Sequence, residues 1–397
     1  MQNRHILYLT HDGLTDPLGQ SQILPYLSGL SKDGFEITVL SLEKAGRLRQ
    51  SKSYIQEICN RSGISWHPLP YFTFPPILSP ILNLLRMQRR AIKEWNSNPY
   101  YLVHCRSYLA SWVGIRLKRK LRIKYLFDMR GFWADERRES GLWPQGHFFY
   151  DRVYAYFKSQ EKKYLSEADH IVTLTTSATR IIEQWGLNMC SISVIPTCVD
   201  LVHFNPDRIS SQNVKELRSK LGIQSNQYVL VYLGSWGTWY LTSEMLRFYK
   251  TLNSMQPSVL LVLTPDTKSV PVMSGIIARE VSRNKLPEYL KLADASLFFI
   301  SPTFSKKGSS ATKMGELLAM NVPIITNSGW GDVDEIIKVS NCGYLVSNFT
   351  ESEYTKCVEE YINHSKPAKF RSTAENYFNL STGIKQYKMI YKDLAQL

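Results

Sequence analysis

The feature that most constrains the fold of this chain is an alternation of strand-like and helix-like patterns that begins at the N-terminus and restarts near residue 225. Short apolar runs alternate with amphipathic stretches, which is typical of a parallel sheet covered by helices on both faces. The predicted strands lie at residues 5–10, 37–41, 101–105, 125–128, 170–174 and 193–195, and then at 228–233, 259–263, 295–300, 323–326 and 343–346. Two consecutive series predict two similar doubly wound α/β domains.

The length of 397 residues, of which 44% are hydrophobic, is sufficient for two ordinary domains. The polar stretch 196–227 has no strong strand pattern and is the expected linker. We therefore expect a first Rossmann-like domain at residues 1–195 and a second at 196–370. Apolar residues spaced by three or four predict a helix in the last segment, 371–397.

The charge of the chain is basic and unevenly distributed. The net charge is +14, and residues 1–190 hold 26 basic against 16 acidic residues. Such an excess indicates an anionic partner or serves solubility alone. The basic stretches 84–95 and 115–122 are candidates for contact with anionic lipid, although solvated helix faces would look the same. Aromatic residues are not interleaved with these charges, which argues against nucleic acid.

Several classes of protein are disfavoured. We expect no signal peptide and no membrane-spanning helix, since the uncharged stretch 66–85 contains five prolines. Six cysteines without a CxxC pair are typical of reduced thiols in a cytoplasmic protein. No metal cluster, P-loop, hydrolase motif or dinucleotide fingerprint is visible, so we expect no metal or cofactor, and an oxidoreductase is disfavoured.

The most informative loop runs from a predicted strand into a predicted helix at residues 300–320. It is small, basic and rich in Gly and Ser, and the amides and dipole of the helix start would attract phosphate. An ordinary N-cap followed by a surface ion pair would explain the same residues. The candidate phosphate and sugar ligands in this loop are Lys306, Gly308, Ser309, Ser310, Thr312, Lys313 and Glu316.

Three further strand ends carry candidates, because ligands of open parallel sheets bind beyond the carboxyl ends of the strands. Gly234 and Ser235 follow the first strand of the second series, where a tight turn is the alternative. Gly19 lies in the flexible N-terminal loop. Arg106 and Arg130 each end a strand and together would bind an anion, unless each forms an ion pair within the fold.

Four segments in this order resemble the retaining glycosyltransferases of family 4, which have the GT-B fold. They are ILYLTHDGLTDPLGQSQILPYLSGLSKDGFEITVLSLEK, VIPTCVDLVHF, LVYLGSWGTWY and ADASLFFISPTFSKKGSSATKMGELLAMNVPIITNSGWGDVDEII. The resemblance implies two Rossmann-like domains that face a central cleft. The first would bind the acceptor and the second a nucleotide sugar, and the C-terminal helix would return to the first domain.

The resemblance also implies roles for single residues. Glu316 matches the glutamate that holds the donor ribose, whereas Gly308 stands where the family has its first glutamate. Gly19 matches the glycine loop near the phosphates, and Arg106 falls where many members have an active-site histidine. The basic pair after the first donor-domain strand is absent from GSWGTWY. Lys313, Arg283 or Lys306 would supply that charge.

The implied activity is transfer of a hexosyl-type sugar, with retention, to a hydroxyl group of a glycan or lipid-linked acceptor. We expect Lys313, Arg106 and Arg130 to act in catalysis. The setting would be bacterial polysaccharide, lipopolysaccharide or other glycoconjugate synthesis, in the cytoplasm or at the inner face of the membrane. The alternatives are a nucleotide-sugar epimerase of the same architecture and a non-catalytic nucleotide-sugar-binding protein.

Overall fold

A computed structural model describes residues 4–75, 78–363 and 370–395. The chain forms two compact units. The first contains residues 1–196 and 380–397, and the second contains residues 197–379.

The first unit is built on a parallel sheet of seven strands in the order β3-β2-β1-β4-β5-β6-β7. The strands are β1 (His5–Thr10), β2 (Glu36–Glu43), β3 (Ile64–Pro70), β4 (Leu102–Arg106), β5 (Lys124–Asp128), β6 (His170–Thr173) and β7 (Ile192–Val194). Every residue of β1 and β4 is buried, as expected for central strands with helices on both faces. The strand order changes direction between β1 and β4, which makes their carboxyl ends a topological switch point.

Eight helices connect these strands within the described residues. They are α1 (Pro17–Gln22), α2 (Leu24–Lys32), α3 (Ala45–Arg61), α4 (Ser79–Ser97), α5 (Ser107–Leu121), α6 (Trp133–Glu139), α7 (Phe148–Glu167) and α8 (Thr176–Glu183). The apolar periodicity of residues 20–30 by itself predicts one helix. Instead, Pro25 near the start of α2 separates it from α1, because proline removes an amide donor and favours a helix start.

The second unit has a parallel sheet of six strands in the order β10-β9-β8-β11-β12-β13. The strands are β8 (Tyr228–Leu233), β9 (Ser258–Leu263), β10 (Ile276–Arg279), β11 (Ala295–Leu297), β12 (Ile324–Asn327) and β13 (Gly343–Val346). The helices are α9 (Ser211–Lys220), α10 (Thr242–Met255), α11 (Leu286–Leu290), α12 (Thr312–Ala319), α13 (Val333–Ser340), α14 (Glu351–Asn363) and α15 (Phe370–Tyr377). Its switch point lies between β8 and β11.

The last helix, α16 (Leu380–Ala395), packs in the first unit against α2 and β4. The predicted single segment 371–397 is therefore divided, since residues up to 379 remain with the second unit. Tyr391 of α16 is fully buried, and its hydroxyl lies 2.7 Å from Nδ1 of His104 on β4. Tyr101 donates a hydrogen bond to the Tyr391 carbonyl. Polar as well as apolar contacts therefore hold α16 on the sheet.

Two strands were missed by the sequence patterns, and both are edge strands. β3 contains Pro68 and Pro70, which lack an amide donor and are tolerated only where one side of the strand is unpaired. β10 is only four residues long, and all four are half-buried or exposed. It forms an edge of the second sheet. The predicted linker 196–227 contains α9, whose residues are all at least partly exposed.

Candidate functional site

In the second unit, the loops after β8 and β11 meet at the topological switch point. The loop after β8 is fixed to the β11 side because Leu241 donates a backbone hydrogen bond to Phe299 and Ser301 donates one to Trp239. Residues 298–311 then lead into α12. This brings Gly234, the Gly/Ser-rich segment and the start of α12 to one place, where ligands of such sheets bind.

Lys313 lies in the first turn of α12 and is 7% exposed. Its amine lies 3.5 Å from the ring centroid of Tyr240 and 4.4 Å from that of Tyr232. Among the described residues, Nζ has no hydrogen-bond acceptor. Burial holds the pKa of Lys313 well below its usual value, although the charge of Glu316 opposes this shift. The amine is therefore a buried, cationic hydrogen-bond donor that has no acceptor among the residues described.

Glu316 lies one turn further along α12 and is 4% exposed. Its Oε1 accepts a hydrogen bond of 2.8 Å from Nη1 of Arg283, which precedes α11. Burial raises the pKa of the Glu316 carboxyl, against the opposing charge of Arg283. Arg283 is therefore the ion-pair partner of Glu316. The surface ion pair between Lys313 and Glu316 that the sequence also allowed is not formed.

The segment before α12 contains small residues with different environments. The N-cap residue is Ala311, whose side chain cannot accept a hydrogen bond from the first-turn amides. Ser310 is engaged elsewhere, since its hydroxyl accepts a hydrogen bond from the amide of Thr197. Gly308 is buried at the end of a short 3-10 turn, and Ser309 and Thr312 are half-buried. The side-chain N-cap offered as an alternative is thus not observed.

The loop after β8 covers the amine of Lys313. Gly234 has a φ of +126°, and a Cβ built on it would lie 2.8 Å from Nζ of Lys313. Only glycine combines this backbone conformation with so close an approach. Ser235 next to it is exposed. Lys306 is buried, and its amine lies 3.7 Å from the ring centroid of Trp239.

Arg106 and Arg130 meet in the first unit, at the carboxyl ends of β4 and β5. Nη1 of Arg130 donates a 3.2 Å hydrogen bond to Oδ1 of Asp128, and Nη1 of Arg106 lies 3.8 Å from Oδ2. Burial alone would raise the pKa of Asp128, but Arg130, His104 and Arg106 hold it below its usual range. Arg106 and Arg130 therefore form ion pairs within the fold, which was the alternative to binding an anion. His104 is buried and bonded, as expected of a core histidine.

The two arginines retain some capacity for an anion. The buried Nε groups of Arg106 and Arg130 have no hydrogen-bond acceptor among the described residues, although Nε of Arg106 lies 3.6 Å from Oδ2 of Asp12. Both line a small pocket with Tyr8, Tyr26 and Tyr387, whose free volume of about 10 Å³ is close to that of one water molecule.

Gly19 lies in α1 and is buried. A Cβ on it would lie 2.2 Å from the carbonyl oxygen of Gly13. Glycine is therefore required at this position by the backbone of the same loop. The buried carboxylate of Glu43 fixes the same loop by accepting hydrogen bonds from the amides of Leu14 and Thr15. The sequence analysis missed Glu43, since a single glutamate at a strand end carries no local signal.

The aromatic enclosure of Lys313 was also missed. Its rings come from Tyr232, Tyr240 and Phe298, which are distant in sequence from the lysine. The available signal was the aromatic character of GSWGTWY at the position where charge was expected. Within residues 4–75, 78–363 and 370–395, no cluster of three or more His, Cys, Asp or Glu could hold a metal, and no helix is long and apolar enough to cross a bilayer.

Solved structures with the same two-domain architecture cover nearly the whole chain. A sucrose-phosphate synthase from Thermosynechococcus elongatus is 13% identical with a TM-score of 0.72, and 98% of each chain is covered. A glycosyltransferase from Rickettsia africae is 15% identical with a TM-score of 0.71 and the same coverage. HepE from Anabaena, solved with UDP and glucose, is 13% identical with a TM-score of 0.70 over 100% of both chains. The fold is therefore GT-B.

The sequence comparison points in the same direction. The model of Glycosyltransferase Family 4 matches residues 23–203. This match and the GT-B fold confirm the resemblance expected from the sequence. No curated protein sequence matches the chain.

Proposed function

We propose that the protein transfers a sugar, with retention of anomeric configuration, from a nucleotide-diphosphate sugar to a hydroxyl acceptor. The observation that carries this proposal is the buried amine of Lys313, which has no acceptor among the described residues and lies at the start of α12 beneath Gly234. Leaving such a group unsatisfied costs free energy, so its retention is explained by an anionic ligand. The complexes of HepE with UDP and with UDP-glucose support a diphosphate as that ligand.

The donor would be held by its diphosphate and its ribose. The ammonium of Lys313 and the dipole of α12 attract the diphosphate, while Ser309, Thr312 and Lys306 offer further donors nearby. Glu316 accepts hydrogen bonds from ribose hydroxyls, and Arg283 holds its carboxylate in place. Because these cationic groups bear on the diphosphate, the proposal requires no metal ion.

The reaction breaks the bond between the anomeric carbon and the diphosphate oxygen and forms a bond from the same carbon to the acceptor oxygen. The proton of the acceptor hydroxyl passes to the departing phosphate oxygen. Lys313 stabilises the negative charge that develops on the leaving group. The missing side chain at Gly234 leaves room beside the Lys313 amine, while the amide of Gly234 itself donates to the Leu263 carbonyl.

The acceptor would bind to the first unit, with Arg106 and Arg130 holding an anionic group of a glycan or lipid-linked acceptor. The basic character of residues 1–190 supports an acceptor at the inner face of the cell membrane and a role in bacterial glycoconjugate synthesis. To bind this anionic group, each arginine would exchange its contact with Asp128 for a contact with the anion. This requires only a local rearrangement of the side chains.

A panel of UDP, GDP, ADP and CMP in a thermal-shift assay tests donor binding. A ligand at a hundredfold excess over its Kd stabilises the native state by about 2.7 kcal/mol, or roughly 3 °C in Tm for a protein of this size. We expect one of these nucleotides to give such a shift and Glu316→Gln to reduce it. If none of them shifts Tm, the proposal is wrong.

Binding without transfer is the second candidate function. It is favoured by Gly308 at the position of the family's first glutamate and by the engagement of Glu316 with Arg283. Hydrolysis of the matching nucleotide sugar, or its transfer to an acceptor, separates the two candidates. Release of an isomerised nucleotide sugar without acceptor would instead identify an epimerase.

A further inference from the structure

A third arginine of the first unit stands on the short helix that follows β5. Arg137 lies in α6, half-buried, with its guanidinium carbon 4.2 Å from the ring centroid of Trp133. Its Nε is buried without a hydrogen-bond acceptor, and within the described part of the chain no carboxylate forms an ion pair with it. Arg106 and Arg130 differ from it, because both face Asp128. Arg137 therefore keeps N–H donors that no described residue uses.

Aromatic packing holds this guanidinium in place. Trp133 stacks with Tyr108 at 5.8 Å between ring centroids and meets Trp143 edge to face at 5.3 Å. The amide of Trp143 donates a 3.0 Å hydrogen bond to the Arg137 carbonyl, so the segment after α6 folds back to the arginine. Stacking uses the face of a guanidinium and leaves the N–H groups on its edge available. Those groups are therefore preorganised for bidentate binding of an anion.

Side chains that follow β1 and β3 lie near Arg137. Burial lowers the pKa of its guanidinium, and the groups that oppose this shift are Glu136, Tyr71 and Asp12. Their effect places them close to the guanidinium, because Coulombic interactions weaken with distance. The ring of His11 meets that of Tyr71 edge to face at 5.3 Å, and the side chain of Asp12 is 45% exposed. An arginine without an anion thus lies near an exposed carboxylate that can accept hydrogen bonds from sugar hydroxyls.

We propose that Arg137 selects an acceptor sugar that bears a carboxylate or a phosphate group. This inference rests on the proposed function and deepens it by naming the chemical class of the acceptor. The edge N–H groups of Arg137 bind the anionic group, while Asp12 accepts hydrogen bonds from hydroxyls of the same sugar. Arg106 and Arg130 would have to exchange Asp128 for the ligand, whereas Arg137 gives up no described partner. A neutral sugar leaves its N–H groups without an anion and is disfavoured.

Titrations of the full chain followed by saturation-transfer NMR test this preference. The probes are methyl glucuronide, which carries a carboxylate, glucose-6-phosphate, which carries a phosphate, and the neutral methyl glucoside. A nucleoside diphosphate is present in excess to fill the donor site. We expect the wild type to bind at least one acidic probe at least about tenfold more tightly than the glucoside. The acidic probe that binds more tightly identifies the anionic group.

The variant Arg137→Gln should lose the preference and bind the glucoside as the wild type does. A merely structural role would instead weaken the binding of all three probes alike. Arg137→Lys keeps a cation on Trp133 without the planar fork and should fall between the two. The matched control is Arg116→Gln, because Arg116 also stacks on a tryptophan, with its guanidinium carbon 3.3 Å from the ring centroid of Trp112. This control should keep the full preference.

Equal affinity of the wild type for acidic and neutral probes, or no binding of either acidic probe, would overturn the inference. A preference that survives in Arg137→Gln would also overturn it, by showing that another residue selects the anion. The thermal shift given by a nucleoside diphosphate is measured on the same samples. If that shift is present while the preference is absent, only this inference is wrong, whereas absence of the shift in the wild type refutes the proposed function.

Discussion

The amine of Lys313 lies 3.5 Å from the ring centroid of Tyr240, under the loop that connects β8 to α10. Cation–π contact compensates part of the cost of burying an ammonium group, but no acceptor within the described residues supplies the remainder. We therefore expect the lysine to destabilise the unliganded protein, and under the proposed function it is retained because it binds an anion.

Lys313→Met should stabilise the unliganded protein. Methionine fills similar space among the rings and removes an unpaired buried polar group, so the free energy of unfolding should rise by roughly 1–3 kcal/mol. Urea denaturation measures this change. Lys291→Met is the control, since Lys291 is exposed, and its effect should stay within about 0.5 kcal/mol. A destabilised Lys313→Met variant would contradict the assignment.

The advantage of Lys313→Met should shrink as the pH rises. Burial lowers the pKa of Lys313 in the folded state, so between that lowered pKa and the usual 10.5 the unfolded chain binds more protons. The stability of the wild type relative to the variant therefore increases with pH in this window. Denaturation of both proteins at several pH values measures the difference, and a constant difference would show that Lys313 does not titrate there.

Nucleoside diphosphate binding should weaken with rising pH. The diphosphate favours the ammonium form of Lys313, so binding takes up a proton and Kd rises by up to about tenfold per pH unit above the lowered pKa. Titration calorimetry between pH 7 and 10 measures this dependence. Lys313→Arg keeps its charge throughout this range and should show a flat profile. The same slope in both proteins would locate the proton elsewhere.

Gly234→Ala and Gly237→Ala form a matched pair. Both glycines have positive φ, at +126° and +91°, so alanine strains the backbone at either position. A Cβ at Gly234 would meet Lys313, whereas no described residue other than its chain neighbours comes within 4 Å of one at Gly237. Both variants should lose about 1–2 kcal/mol of stability, but only Gly234→Ala should also lose nucleotide affinity. Equal losses of affinity would remove Gly234 from the site.

The contact between Tyr391 and His104 should stabilise the C-terminal helix. Burial lowers the pKa of His104, so its neutral ring accepts one hydrogen bond while Nε2 faces Asp128 at 3.4 Å. Tyr391→Phe leaves Nδ1 without its partner and should cost about 1–3 kcal/mol. Tyr377→Phe, at a residue that is 37% exposed, is the control and should change little. A cost below about 0.5 kcal/mol for Tyr391→Phe would contradict this role.

The sequence predicted the parts of this protein that depend on local pattern. β1 and β8 have the predicted bounds, because buried central strands leave continuous apolar runs. The edge strands β3 and β10 were not predicted, because an edge strand has only one neighbouring strand and its apolar pattern is therefore weaker. The long periodic segment 149–165 predicts a helix, and α7 begins one residue before it and ends two residues after it.

The candidate site was less accessible from sequence. Lys313 and Glu316 were selected because they follow a small-residue loop at a helix start. Their partners come from elsewhere: Arg283 precedes Glu316 by 33 residues, and Tyr232 precedes Lys313 by 81 positions. Contacts of this kind depend on sheet order, which no local pattern specifies. The pairing of Arg106 and Arg130 through Asp128 likewise requires β4 and β5 to be neighbours.

The measurement that tests the central claim most directly is titration calorimetry of a nucleoside diphosphate against the wild type, Lys313→Met and the control Lys291→Met. We predict that Lys313→Met weakens binding at least about tenfold, because a charge-assisted hydrogen bond is worth roughly 1.5–3 kcal/mol, while Lys291→Met binds as the wild type does. Unchanged affinity in a folded Lys313→Met protein would contradict the account.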